Sequence, residues 1–161
     1  MSYPVVSFKS DKFKQNLLKA YQDYGMCVIT DVISPDKCDS IMNQIITSFE
    51  NLGSGLDRNN LKTWNKYRTP VATRPGMYQS MVANLPIIWK TKTCDEIVSI
   101  FDTLYREYRP DASEELIVSN DGINIKPGGI GPFHDIKNDF EKDWVHIDQT
   151  VDANPYNCIQ G

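Results

Sequence analysis

Apolar residues recur at helical spacing near the front of the chain. Phe13, Leu17, Ala20, Tyr21 and Tyr24 fall on one face, the pattern of an amphipathic helix. Ser10 is placed to cap its start, and Gly25 can take the left-handed conformation that stops it. The spacing therefore predicts a helix over 11–24. Met26 to Thr30 (MCVIT) is then an apolar, β-branched run of the length of a buried strand. In Ser34-Pro35, serine suits an N-cap and proline suits the first helical position, where its missing N–H costs nothing. Cys38, Ile41, Met42, Ile45, Phe49 and Leu52 form one apolar stripe that ends at Gly53.

From Ser54 to Ser80 no period persists. The stretch is rich in Asn, Thr, Gly and Pro, and a loop this long inside a compact domain is expected to be functional or mobile. Helical signals return at Val82 to Lys90, broken by Pro86. Thr93 is the expected cap of a further helix carrying Ile97, Phe101, Leu104, Tyr105 and Tyr108 on one face, ended by Arg109-Pro110.

Beyond Pro110 the pattern changes to short strands. These are Leu116 to Ser119 (LIVS), Ile123 to Ile125 (INI) and Trp144 to Thr150 (WVHIDQT), separated by Asn120-Asp121-Gly122 and by the glycine-rich Pro127 to Pro132 segment. Asn157 to Gly161 (NCIQG) reads as the start of another strand, whose open edge calls for a further segment or a second chain to complete the sheet. The expected class is α+β, with 1–110 mainly helical and 111–161 in strands.

Composition narrows the picture. A chain of 161 residues can bury one real core, so a single domain over 1–161 is expected. No apolar run is long enough to cross a membrane. The first ten residues lack the basic start and apolar stretch of a secretory signal, which leads to an expectation of a reducing, cytoplasmic setting. The four cysteines, Cys27, Cys38, Cys94 and Cys158, are scattered; without the close pairs of zinc or redox motifs they are expected to be buried free thiols. A net charge of -4 argues against bulk affinity for nucleic acid.

The candidate chemistry lies at His146-Ile147-Asp148. On a strand, positions i and i+2 share a face, so Trp144, His146, Asp148 and Thr150 would line one side while Val145 and Ile147 pack on the other. An imidazole and a carboxylate side by side are two thirds of the facial triad that holds iron(II) with coordination sites left open. Short motifs of this kind recur by chance. The alternative is a simple His146–Asp148 hydrogen bond on a half-exposed strand, and the wider sequence has to decide.

That wider sequence resembles the phytanoyl-CoA dioxygenase family. Gly25-Met26-Cys27-Val28-Ile29 followed by Ser34-Pro35 is similar to the family's opening strand and helix. Ser119-Asn120-Asp121-Gly122-Ile123-Asn124, Trp144 to Gln149 and Cys158-Ile159-Gln160-Gly161 resemble its core in order and spacing. The resemblance runs from Tyr24 to Gly161. It implies N-terminal helices packed on a double-stranded β-helix of the jelly-roll or cupin type, only part of which this chain would hold. It also implies Fe(II) and 2-oxoglutarate as cofactors, His146 and Asp148 as metal ligands, and hydroxylation of a small organic substrate.

The chain departs from the family pattern in one place that matters. A distal histidine, and an arginine that pairs with the far carboxylate of 2-oxoglutarate, would follow the His-x-Asp, and no His or Arg follows Asp148. His134 lies upstream in a Gly/Pro-rich loop and reads as a loop residue. The chain by itself is therefore expected to be inactive until a second chain or a further C-terminal segment completes the barrel.

Lys126 could reach a carboxylate of the co-substrate, with Asn124 on the same face; the alternative for Lys126 is an exposed strand-end lysine. Trp144 could roof the metal pocket or simply fill core. Gln149 alternates away from the metal face. Between Arg58 and Arg74, the basic residues Arg58, Lys62, Lys66, Arg68 and Arg74 interleave with Trp64 and Tyr67. Such a loop could bind a phosphate-bearing substrate, with Trp64 and Arg68 in the pocket, or single-stranded nucleic acid; it could also be a solvated loop over the barrel mouth. Two rivals to the oxygenase stay open: a non-catalytic β-helix module for binding or assembly, and a nucleic-acid-binding protein using the 58–74 loop.

Overall fold

The computed structural model describes residues 3–65, 67–70, 72–74, 76–79, 82–110, 115–120, 122–125 and 158–161. Helices and small sheets are mixed, in keeping with an α+β class. In chain order the elements are β1 (Val5–Ser7), α1 (Phe13–Tyr24), β2 (Val28–Thr30), α2 (Pro35–Glu50), β3 (Ala72–Arg74), β4 (Met77–Tyr78), α3 (Pro86–Lys92), α4 (Asp95–Tyr108) and β5 (Ile123–Asn124). They group into two compact units. One draws on Met1–Cys38, Lys92–Ile117 and Gln149–Gly161, the other on Asp39–Thr91 and Val118–Asp148.

In the first unit β1 and β2 run parallel, with Val5 opposite Val28 and Val6 opposite Ile29. Parallel neighbours need a crossover, and α1 supplies it. The apolar run Met26 to Thr30 marked β2 in the sequence, whereas β1 was not anticipated. Val6 is buried, while Val5 and Val28 on the other face are 64% and 49% exposed.

Helix α1 starts two residues later than its apolar pattern suggests. Ser10 forms a turn ahead of the helix instead of capping it: its carbonyl accepts from the Phe13 N–H at 2.8 Å and its hydroxyl from the Lys12 N–H at 3.2 Å. At the other end Gly25 stops the helix as expected, with φ 69° and its N–H donating to the Tyr21 carbonyl at 2.8 Å. A Cβ at Gly25 would meet nothing within 4 Å, so Gly25→Ala is expected to cost about 1 kcal/mol from backbone strain alone. Chemical denaturation checks the loss, and Gly25→Asn should recover part of it because asparagine tolerates this conformation.

Leu17, Ile100 and Leu104 form the core of this unit, with Phe8, Phe13, Tyr21, Ile29 and Tyr108 packed around them. Helix α4 begins after Cys94, not Thr93, and its first turn carries Asp95 and Glu96, the charge sign a helix N-terminus favours. Its deepest positions are Ile100 and Leu104, so the buried face is rotated toward Ile100 from the expected stripe. Residues 158–161 return to the same unit. Ile159 joins the core and its N–H donates to the Tyr105 hydroxyl at 2.9 Å.

The second unit is built on the rear of α2. Ile45 and Phe49 are buried there with Leu56, Trp64, Tyr78, Val82 and Ile88, and the Phe49 and Tyr78 rings meet edge to face at 4.9 Å. The buried stripe of α2 is narrower than its sequence suggests, since Met42 and Leu52 are exposed. The stretch read as patternless contains a 3₁₀ turn (Leu61–Thr63) and the strands β3 and β4. With β5 they make an antiparallel sheet in the order β3-β4-β5, pairing Met77 with Asn124 and Tyr78 with Ile123.

Three expectations need correction. The strand expected to start at Asn157 does not form among the described residues 158–161, which have no regular structure. Leu116 to Ser119 is not a strand: residues 115–120 are exposed without regular structure, and Ile117 is 96% exposed. High strand propensity reflects fit to a half-buried pleated surface, which a segment without a ladder does not have. The cysteines are free but not uniformly buried, for Cys38 and Cys158 are exposed and Cys27 and Cys94 half-buried. Burial pushes the Cys27 thiol up, which makes it inert rather than reactive.

Candidate functional site

Two parts of the candidate site fall within the described residues: strand β5 with Gly122 before it, and most of the basic loop, of which Lys66 and the side chain of Arg74 lie outside them. His146 and Asp148, with His134, Trp144, Lys126 and Gln149, lie outside them. Among the described residues no group of three His, Cys, Asp or Glu side chains could hold a metal ion. No helix among them is long and apolar enough to cross a membrane.

Strand β5 follows Gly122, the last residue of the Asn-Asp-Gly run that the sequence marked as a break. Ile123 and Ile125 pack against the core while Asn124 between them is exposed, the alternation a half-buried strand requires. The Ile125 N–H donates to the Gly76 carbonyl at 2.8 Å, extending the ladder past β5. Ahead of the strand, the Asn120 amide donates to the Asn84 side-chain oxygen at 3.2 Å. Gly122 approaches β4 so closely that a Cβ would sit 2.4 Å from the Tyr78 carbonyl oxygen. The glycine of the Ser-Asn-Asp-Gly-Ile-Asn run therefore has a packing reason: it permits the close approach of the chain to β4.

The 54–70 loop is tied together by hydrogen bonds among its own described residues. Its centre is Thr63, buried, whose hydroxyl donates within reach of the Asp57 and Asn60 carbonyls at 3.0 and 2.7 Å and accepts from the Asp57 N–H at 2.9 Å. Arg68 donates to the Gly55 carbonyl at 2.8 Å, and the Ser54 hydroxyl donates to the Arg68 carbonyl. Lys62, Tyr67 and Arg68 are exposed. Trp64 is only 5% exposed and belongs to the core, where its indole N–H has no hydrogen-bond partner among the described residues. It therefore packs as structure; Arg68 is the pocket candidate of the two that solvent reaches.

Arg58 is occupied by the protein itself. Asn43, Thr47 and Glu50 lie at i, i+4 and i+7 on α2, so they share one face. The Arg58 guanidinium donates to all three: to Glu50 from Nε at 3.1 Å and from Nη2 at 2.6 Å, to Thr47 at 2.6 Å and to Asn43 at 3.3 Å. Its backbone N–H also donates to Glu50, at 2.9 Å. A two-pronged contact of this kind is stronger than an ordinary surface ion pair. It clasps the start of the loop to the helix and withdraws Arg58 from phosphate binding. No local sequence signal announces the clasp, because its partners are eight to fifteen residues away.

Hydrogen bonds from the Arg58 side chain and backbone hold the Glu50 carboxyl below its usual value. A depressed folded value means that the carboxylate stabilises the fold above the unfolded value of about 4.3, and that this contribution is lost as pH falls through the folded value. Wild type is expected to lose stability on acidification through this window, and Glu50→Gln to be less stable at pH 7 with a flatter acid limb. Urea midpoints across pH 3 to 7 for both proteins measure it.

No family model matches the chain, and no solved structure matches it. It is similar to "Ava biosynthesis cluster protein O" of Aspergillus versicolor, with 27% identity over 137 residues, which cover 85% of this chain and 41% of that protein. The chain thus matches less than half the length of this curated relative.

Proposed function

We propose that this chain is the front portion of an Fe(II)- and 2-oxoglutarate-dependent oxygenase of the phytanoyl-CoA dioxygenase type, acting on a small organic substrate. The observation that carries the proposal is His146-Ile147-Asp148 standing in order and spacing with the other family-like segments. In this reading the helices wrap a double-stranded β-helix of which the chain holds part. Similarity to a protein named for a biosynthesis cluster supports a small-molecule substrate.

The donor set of His146 and Asp148 is right in kind for iron(II), one imidazole nitrogen and one carboxylate oxygen, and short by one ligand. In this reading the third ligand comes from outside the His146–Asp148 pair. When bound, iron and 2-oxoglutarate together supply the power to oxidise an unactivated C–H bond. The chain's own residues would hold and orient: His146 and Asp148 would grip the metal, while Asn124 and Lys126 would offer donors to the co-substrate acid. The commitment of Arg58 to Glu50 weakens the rival reading of 58–74 as a nucleic-acid interface.

Iron(II) affinity measured anaerobically on wild type, His146→Ala and Asp148→Ala tests the proposal. Each variant should lose on the order of 10–100-fold, a range that even supporting residues around metals reach. Iron-dependent release of succinate from 2-oxoglutarate should fall with it once the third ligand is supplied. Equal iron affinity in all three proteins overturns the oxygenase reading and favours the non-catalytic module.

A further inference from the structure

We draw no further inference here: the strongest candidate, the exposed apolar face of the β1–β2 pair carrying Tyr3, Val5, Met26 and Val28, carries nothing because nothing in the structure shows what covers it.

Discussion

Phe49→Ala is expected to destabilise the second unit by about 3–5 kcal/mol. The ring is 1% exposed and stands at the centre of a cluster in which Ile45, Leu56, Trp64, Tyr78, Val82 and Ile88 also bury their side chains. Removing it deletes a large apolar surface and leaves a cavity. The cavity is bounded by helix α2 on one side and by β4 on the other, so neither wall can collapse freely. The edge-to-face contact with Tyr78 is lost as well, and such a pair contributes about 0.5–1.5 kcal/mol beyond burial. Phe49→Leu, which refills most of the volume, should recover the larger part. Urea unfolding followed by tryptophan fluorescence in a Trp89→Phe, Trp144→Phe background reads this core, because the remaining indole, Trp64, lies in the same cluster. A loss under 1 kcal/mol for the alanine variant would mean that the ring is not packed as described.

Gly122→Ala should have the second largest effect, at least about 2–3 kcal/mol. The mechanism is the opposite of that at Gly25. At Gly25 the backbone is left-handed and the space open; at Gly122 the added Cβ strikes the Tyr78 carbonyl oxygen at 2.4 Å, the Gln79 Cγ at 2.7 Å and the Tyr78 carbonyl carbon at 3.0 Å. Two of those atoms are backbone in or beside β4, so the clash cannot be relieved by a rotamer change. Relief requires β5 to move off β4. Amide exchange at Ile125, whose N–H donates to Gly76, should speed up in the variant. Gly161→Ala is the control: its Cβ meets only the outer edge of the Phe101 ring, which can turn aside, so little stability should be lost. If Gly122→Ala proves as mild as that control, the close approach of β5 to β4 is wrong, and with it the placement of Asn124.

The candidate site was legible in the sequence to an uneven degree. His146 and Asp148 were proposed because a metal site needs particular donor atoms at a particular spacing in the chain; both lie outside the described residues. A period-two argument put Asn124 on the same face as Lys126; Asn124 is exposed on β5, and Lys126 lies outside the described residues. Trp64 and Arg58 were misjudged for a shared reason. An aromatic and a cation in a polar, glycine-bearing loop look like surface, and only the contacts with Phe49, Tyr78 and the α2 face turn one into core and the other into a clasp.

The sequence by itself determined α1, α2 and α4, the left-handed stop at Gly25, and the proline start of α2. Helix hydrogen bonds and helix faces join residues three or four apart, so their code is local. Tertiary structure alone decided that β1 pairs with β2 across α1, that the 54–80 stretch contributes two strands to a sheet, and that Leu116 to Ser119 joins none. A strand is stabilised by neighbours that are distant in sequence. Three apolar residues become a strand or stay exposed according to which backbone comes to lie beside them.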